Sequence, residues 1–496
     1  MIKILSSSQI RDADKHTIEN EPIESIDLME RASASFSKWF IGEFPGKCKV
    51  HVVSGKGNNG GDGLAVARIL KRNGYEVKVY TTSDEGSEDF NINFHRLPEG
   101  IERKVVDDSL GSIETGVLID ALFGSGLDRP IEGRYAKIVK EINQFAGQVV
   151  SIDIPSGVYA DNPVDGEHVV EATHTVSFQL PKLAFFMAEN EKFVGDWHVV
   201  DIGLDQNFID HTDSRIHMVT LEDVRSYLKK PAKFSHKGNM GRSMLICGSS
   251  GKMGACIIAA RAALRSGAGL LTCYVPAVGE NIIQTAVPEA MAMVSTFQDY
   301  HVEEANFKGM DAVGIGPGLG TEDQTEMALR KWIKQLEVPA VIDADGLNMI
   351  SSRPDILKHV PEGTIFTPHP KEFSRLAGEA EDSFKRLEMA REYAKKHKVI
   401  IVLKGAYTAV FDTEGSVYFN STGNPGMATG GSGDALTGII TALLGQGYSS
   451  KWAAIVGVFI HGLAGDEAAE DLGCISMTAT DIIDYLPDAF RHVEMR

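Results

Sequence analysis

The sequence predicts an α/β protein of two domains in series, each a mainly parallel sheet layered between helices. Three observations carry that expectation. The chain has 496 residues, more than one ordinary hydrophobic core organises. Short apolar runs alternate with helical stretches, the pattern of parallel strands joined by crossover helices. The 50 glycines gather in short loops at the ends of those runs and form no low-complexity tract.

In the first half, Val50–Val53 reads as a strand, followed by a glycine-rich loop and a helix from Leu64 to about Arg72. A strand follows at Val77–Thr81, and others at Gly116–Ile119, Gln148–Ile152 and Thr175–Phe178. Handedness and connection rules make this a doubly wound, Rossmann-like three-layer domain. A second run of the same kind starts after residue 220. Its strands are Ser243–Cys247, Leu270–Val275, Ala312–Ile315, Ala340–Ile342, Thr364–Thr367 and Val399–Leu403, with a helix at Gly254–Ser266. The stretch Asp205–Asp223 is polar and weakly periodic, and is the expected linker.

Composition excludes several classes of function. Hydrophobic residues at 43% and charged residues at 24% are the balance of a soluble globular protein. A formal charge of −19 argues against nucleic acid or an anionic membrane as partner. It leaves phosphate ligands open, because backbone N–H groups bind them locally. Cys48, Cys247, Cys256, Cys273 and Cys474 form no C-x-x-C pair and mostly sit in apolar runs. Free thiols in a reducing cytoplasm are therefore expected, without a disulfide framework or zinc site. The N-terminal residues lack the apolar core of a signal peptide. The apolar run Trp452–Gly465 is too short for a membrane span and is interrupted by Gly457 and His461, so a buried helix is expected.

The first candidate site begins at Gly55-Lys56-Gly57-Asn58-Asn59-Gly60-Gly61-Asp62-Gly63, between a strand and a helix. Gly55, Gly57 and Gly60 match G-x-G-x-x-G, and a helix N-terminus there offers free N–H groups to a diphosphate. A tight turn with no ligand is the alternative. Asp120 closes an apolar strand and runs into Phe123-Gly124-Ser125-Gly126-Leu127, and Asp153-Ile154-Pro155-Ser156-Gly157 closes another. Ligands of open α/β sheets sit beyond the carboxyl ends of strands, so Asn58, Asn59, Asp120, Asp153 and Ser156 should converge. Carboxylates placed there serve as acid, base or oxygen ligands, although each aspartate singly could be a helix cap or turn residue.

These three segments resemble the NAD(P)HX epimerase family over roughly residues 1–212. The resemblance implies a potassium ion bound by Asn59, Asp120 and Ser156. It implies substrate contacts from Asn58, Asn59, Gly60, Gly61 and Asp62, from Gly124, Ser125, Gly126, Leu127, Asp128, Arg129 and Pro130, and from Asp153, which would transfer protons. Gly126-Leu127-Asp128-Arg129-Pro130 departs from the family's commoner Gly-Leu-Arg-Gly continuation. Inverting the hydroxyl-bearing carbon 6 of a hydrated nicotinamide needs groups that move protons and tolerate a transient cationic ring, and a carboxylate suits both needs.

The second candidate site is Asn424-Pro425-Gly426-Met427-Ala428-Thr429-Gly430-Gly431-Ser432-Gly433-Asp434, followed by the apolar run Ala435–Leu444. Its glycines let backbone N–H groups crowd around an anion, and the following helix adds its positive end. Asp434 in the first turn would repel an anion, so its better use is as a base aimed at a substrate hydroxyl. A capped helix start without ligand is the alternative. No Walker A motif is present, since Gly248-Ser249-Ser250-Gly251-Lys252 lacks the spacing. Supporting loops end further strands at Gly314–Gly320, Asp343–Asn348, Thr367–Glu372 and Lys404–Thr408. His369 stands between two prolines, which hold it rigidly as a functional group, with a plain loop residue as the alternative.

Together with Ser235–Gly241 and Gly248–Ala255, these loops resemble the ribokinase-like fold and its NAD(P)HX dehydratase branch over about residues 225–496. The resemblance implies ADP contacts from Lys404, Gly405, Ala406, Tyr407 and Thr408, and from Asn424, Gly426, Thr429, Gly430, Gly431, Ser432 and Gly433. It implies substrate contacts from Ala255, Gly318 and His369, with Asp434 catalytic. The expected activity is repair of hydrated NADH and NADPH (NADHX and NADPHX) by epimerisation and ADP-dependent dehydration, with ADP or ATP as phosphoryl donor, carried with magnesium. A homo-oligomer is the expected assembly. Two other readings stand beside it: a small-molecule alcohol kinase fused to an unrelated nucleotide-binding domain, and a non-enzymatic NAD sensor that would not need Asp434.

Overall fold

The computed structural model describes residues 1–495. They form two compact units. One comprises Lys3–Ser214 with Asp382–Phe384; the other comprises Met1–Ile2, Arg215–Glu381 and the chain from Lys385 onward. Each is built on its own sheet.

The first unit holds seven strands, ordered Glu102–Val105, Glu76–Thr81, Lys49–Ser54, Val117–Ala121, Gln148–Ile152, His174–Phe178 and Asp196–Val200. Every pairing is parallel. The central strand Val117–Ala121 is buried along its whole length, as a sheet covered on both faces requires. From Lys49–Ser54 the chain winds outward through the next two strands, then returns to the other flank of the same strand with Val117–Ala121. That reversal opens a crevice beyond Ser54 and Ala121, the place where doubly wound folds bind ligands.

The second sheet has eleven strands, in the order Ile2–Lys3, Ile216–Met218, Val417–Phe419, Ala409–Phe411, Ile400–Leu403, Ile365–Phe366, Ala340–Ile342, Ala312–Ile315, Arg242–Ile246, Leu270–Val275 and Met291–Val294. The six-strand core from Ile365–Phe366 to Met291–Val294 is parallel throughout. Here the order reverses at Arg242–Ile246, between Leu270–Val275 and Ala312–Ile315. The helix Ser432–Gly445 is buried from Ala435 to Gly445 and belongs to the main core cluster with the helix Ser450–Leu472. Among the described residues, no helix is long and apolar enough to cross a membrane. All five cysteines are free, and Cys247, Cys256 and Cys273 are buried.

Three features differ from expectation. The helix expected from Leu64 starts at Asn58, so only Gly55–Gly57 remain as loop. Glycine is a poor helix former, but here close packing overrides propensity. A Cβ on Gly60 would stand 1.9 Å from the Gly55 carbonyl oxygen, and one on Gly55 2.0 Å from that of Leu122. The antiparallel hairpin Ala409–Phe411 to Val417–Phe419 had no expected counterpart; Asp412 closes its turn by accepting from the backbone N–H groups of Glu414 and Ser416. The expected linker is also ordered. Asp205 caps a helix at Gln206–His211, and Ile216–Met218 pairs in parallel with Val417–Phe419.

Candidate active sites

In the first unit, three strand ends bring the predicted residues together. Asp120 is fully buried at the end of its strand. Its Oδ1 accepts from the Ser156 hydroxyl (2.7 Å) and the Leu122 N–H (3.2 Å). Its Oδ2 accepts from the Ser156 N–H and the Ser151 hydroxyl, both at 2.9 Å. Burial raises its carboxyl above the usual range despite these donors. Asn59 stands in the first turn of its helix, and its Nδ2 is buried without a hydrogen-bond partner. The Asn59 side chain lies 3.3 Å from where a Gly124 Cβ would be, so the Gly124 loop closes over it. Further along that loop, Gly126, Asp128 and Arg129 are exposed.

Asp153 sits in a left-handed backbone conformation, φ 63°. Aspartate tolerates this better than most residues, but strain of this kind gathers at functional sites. Its Oδ1 meets Lys182 Nζ at 2.8 Å and accepts the Phe178 N–H at 3.2 Å. Lys182 is only 1% exposed and also donates to Ser177 Oγ at 3.0 Å. Two more carboxyls share this field. Burial, reinforced by Asp153 and Asp14, lifts Asp62 well above its usual range. Burial, then the Asp153 charge, pushes Asp14 up to about 6, against the pull of Lys182. Sequence reasoning missed Lys182 and Asp14. Neither lies in a glycine loop, and only the buried position of a lysine could have drawn notice to the first.

In the second unit, Asp434 occupies the first turn of the helix Ser432–Gly445, capped by Gly431 in the left-handed region, φ 94°. Burial, then the neighbouring Asp343 charge, pushes its carboxyl up to about 7, with Lys404 opposing. Lys404 Nζ meets Asp343 Oδ1 at 2.9 Å and Glu372 Oε2 at 3.8 Å. A Gly433 Cβ would lie 3.2 Å from that ammonium, so the lysine stands at the helix N-terminus. Burial would lower the lysine, but Asp343 and Glu372 outweigh it and raise it. Thr437 donates to Asp343 Oδ2 at 2.8 Å, which completes the pairing of this buried carboxylate. Asp343 was noted only as part of a supporting loop.

Several other predicted residues are fixed by contacts of their own. Asn424 is anchored by its Nδ2 to Asp466 Oδ1 at 2.9 Å, and the Gly423 N–H donates to Oδ2 of the same aspartate. Gly405 and Thr408 close a turn on one another. Ala255 and Gly318 are neighbours: a Gly318 Cβ would lie 3.1 Å from that of Ala255. Ala255 shares its helix with Ile258, whose Cδ1 would be 2.6 Å from a Gly431 Cβ. His369 caps the helix Pro370–Ala377, with Nδ1 accepting from the N–H groups of Lys371 and Glu372, and its side chain stays 44% exposed. The buried His461 meets Ser432 Oγ at 3.3 Å and is pushed down to about 4 by burial, so it is neutral.

Each unit has its own likeness among known proteins. A family model described as NAD(P)H-hydrate dehydratase matches residues 243–488, and one described as the YjeF-related protein N-terminus matches residues 25–184. The bifunctional NAD(P)H-hydrate repair enzyme of Moorella thermoacetica is 35% identical over 515 residues, which cover 99% of this chain and 97% of that one. The chain belongs to the bifunctional NAD(P)H-hydrate repair enzymes. The ADP/ATP-dependent NAD(P)H-hydrate dehydratase of Bacillus subtilis, co-crystallised with ATP and magnesium, superposes with a TM-score of 0.50 at 29% identity, covering 56% of this chain and 99% of that chain. A ribokinase-like superfamily protein from Enterococcus faecalis superposes equally, at 27% identity, over 57% of this chain and 99% of its own. The repair-enzyme family thus accounts for both halves, and the ribokinase-like expectation for the second half holds.

Proposed function

We propose that residues 1–212 epimerise the R and S forms of hydrated NADH and NADPH, and that residues 225–496 dehydrate the S form with ADP. The observation that carries the second assignment is Asp434, a carboxyl pushed up to about 7 at the N-terminus of a glycine-led helix. That value suits a base working near neutral pH. Asp434 takes the proton of the carbon-6 hydroxyl, and the oxygen attacks the terminal phosphoryl group of ADP. The bond to the bridging oxygen breaks and AMP leaves. N–H groups of Gly430–Gly433 and the Lys404 ammonium receive the charge on the phosphoryl oxygens. The C–O bond then breaks with its electrons on phosphate, the ring nitrogen supplying the push. Loss of a proton from carbon 5 restores the dihydropyridine. Magnesium bound to the nucleotide would supply neutralisation of phosphate charge.

In the first unit, Asn59, Asp120 and Ser156 would hold a potassium ion. Asp120 is a buried carboxyl that is in no ion pair among the described residues, and Asn59 and Ser156 bring an amide oxygen and a hydroxyl oxygen to the set. A hard cation with oxygen ligands fits that donor set. Asp153, tied to Lys182, moves the proton on the oxygen that leaves or joins carbon 6.

The test is incubation of mixed epimers of hydrated NADH with ADP. Full recovery of reduced-nicotinamide absorbance is expected, with AMP and phosphate in equal amounts. Asp153→Ala should stop early at the fraction present as S epimer, and Asp434→Ala should recover nothing. A stable phosphorylated product in place of free phosphate would make the second unit an alcohol kinase and sink the reading.

A further inference from the structure

The order of the second sheet reverses at Arg242–Ile246, so the loops that follow this strand and its neighbour Ala312–Ile315 diverge. In a doubly wound sheet the crevice between two such loops is where a ligand lies. One wall is the loop 247–252, which leads into the helix Met253–Arg265. The other is the loop 316–322, which leads into the helix Asp323–Gln335. The phosphoryl group of ADP is received elsewhere, at Gly433 and Lys404, so this crevice is left to the hydrated dinucleotide. The two walls touch at their base: the Ser249 hydroxyl donates to the Gly318 carbonyl at 2.8 Å, and a Gly318 Cβ would stand 2.6 Å from the Lys252 carbonyl oxygen.

The segment Asp343-Ala344-Asp345 reaches both places. Asp343 turns to the phosphoryl side, where it holds Lys404 at 2.9 Å and accepts from Thr437 at 2.8 Å. Asp345 turns to the crevice. Its Oδ2 accepts the Gly320 N–H at 2.8 Å and meets Lys252 Nζ at 3.3 Å, one partner from each wall. Ala344 stands between the two carboxylates in the left-handed region, φ 48°. A residue with a Cβ keeps that conformation only where its surroundings impose it, and such positions gather at functional sites. Asp345 lies in the first turn of the helix Ala344–Ser352, where an acid usually serves its own helix end. Here its carboxylate is aimed at two neighbouring loops instead. It is also the better buried member of its ion pair, 19% exposed against 52% for Lys252.

We propose that Asp345 is a positioning residue of the dehydratase site: it fixes the two walls of the crevice against each other and so sets the fit of the hydrated dinucleotide. Asp343, two residues earlier, serves the phosphoryl end. The proposal rests on the dehydratase reading given above. A ligand that enters a crevice with loose walls must order them as it binds, and its affinity falls by that cost. Once the walls are ordered, the reacting groups stand as before and the chemical step is unchanged. Loss of Asp345 therefore falls on KM for the hydrated dinucleotide and spares both kcat and KM for ADP.

The test measures initial rates of dehydration in full-length wild type, Asp345→Ala, Lys252→Met and the double variant. Pure S epimer and ADP are each varied at about pH 8.5, where Asp434 is ionised and the charge of Asp345 does not act through it. Asp345→Ala removes both contacts, and should raise KM for the S epimer on the order of tenfold, with kcat and KM for ADP within about twofold of wild type. Lys252→Met removes the ion pair alone through an exposed side chain, and should raise the same KM about threefold. The double variant should be no worse than Asp345→Ala, because the lysine acts through the aspartate. Thermal melts report folding. A wild-type KM for the S epimer in Lys252→Met or in Asp345→Ala would overturn the proposal. So would a parallel rise of KM for ADP, the mark of general loosening, or a double variant in which the two effects multiply. If wild type itself yields a stable phosphorylated product and no reduced nicotinamide, the dehydratase reading fails and Asp345 falls with it.

Discussion

Asp434→Asn is expected to abolish dehydration and to stabilise the unit that carries it. Burial and the neighbouring Asp343 charge raise this carboxyl from 3.8 to about 7. At 1.36 kcal/mol per pH unit, that difference means ionised Asp434 costs the folded state about 4 kcal/mol. The sign follows from proton counts. Below 3.8 the carboxyl is protonated in both states, and the substitution is neutral. Between 3.8 and about 7 the folded state keeps a proton that the unfolded state has released, so wild-type stability falls as pH rises. Above about 7 the full cost is present. A neutral amide of the same shape escapes it. The expected gain is up to about 4 kcal/mol at about pH 8 and under about 2 kcal/mol at about pH 5. For a unit of this size, that is several degrees in Tm. Thermal unfolding of both proteins at the two pH values, with dehydration assayed in parallel, reads the result. A variant that is less stable than wild type at pH 8, or whose gain does not shrink toward pH 5, would refute the electrostatic account. In wild type, dehydration should rise as pH passes through about 7, as Asp434 ionises.

Two further outcomes follow from single contacts. Potassium should raise the melting temperature of the wild-type first unit and its epimerisation rate relative to a bulky organic cation at equal ionic strength, and Asp120→Asn should lose both responses, since Asp120 supplies the buried charge. Asp466→Ala frees the Gly423 N–H and the Asn424 amide, and should raise KM for ADP several-fold while kcat changes little, measured by initial rates of dehydration with varied ADP.

What the sequence disclosed is what lies close together along the chain. Leu270–Val275, Ala312–Ile315 and Gln148–Ile152 were legible to the residue because each is a short apolar run between turn-forming residues. The helix Ser450–Leu472 was legible as buried because its apolar residues go all the way round. The start of the helix at Asn58 was not, because three glycines argue against helix unless the contacts that demand them are known. The hairpin after Leu403 was hidden for a similar reason: three-residue strands carry too little periodicity to register. At the sites, Asp120 and Asp153 could be picked out because each follows a strand into a glycine-bearing loop, and Asp434 because it follows a glycine-rich loop into a helix. Lys182, Asp14, Asp343 and Asp466 could not, because each acquires meaning from a partner far away in sequence. Lys404 lies 61 residues from the Asp343 it neutralises.

The two sites solve one electrostatic problem in the same way. Each sets a single ammonium among carboxyls: Lys182 with Asp14 and Asp153, and Lys404 with Asp343, Glu372 and Asp434. Full ionisation would leave each cluster with excess negative charge away from water, and removal of the lysine would make it worse. The outcome in both is a carboxyl that titrates near neutrality, Asp14 at about 6 and Asp434 at about 7. Neither value belongs to the residue alone; it is a property of the count of charges the fold encloses. A repair enzyme for a hydrated ring needs that property twice, because inversion and phosphorylation both require a proton to be moved at the same hydroxyl. Asp343→Asn, which alters that count, should therefore move the pH dependence of dehydration toward acid without touching Asp434 itself.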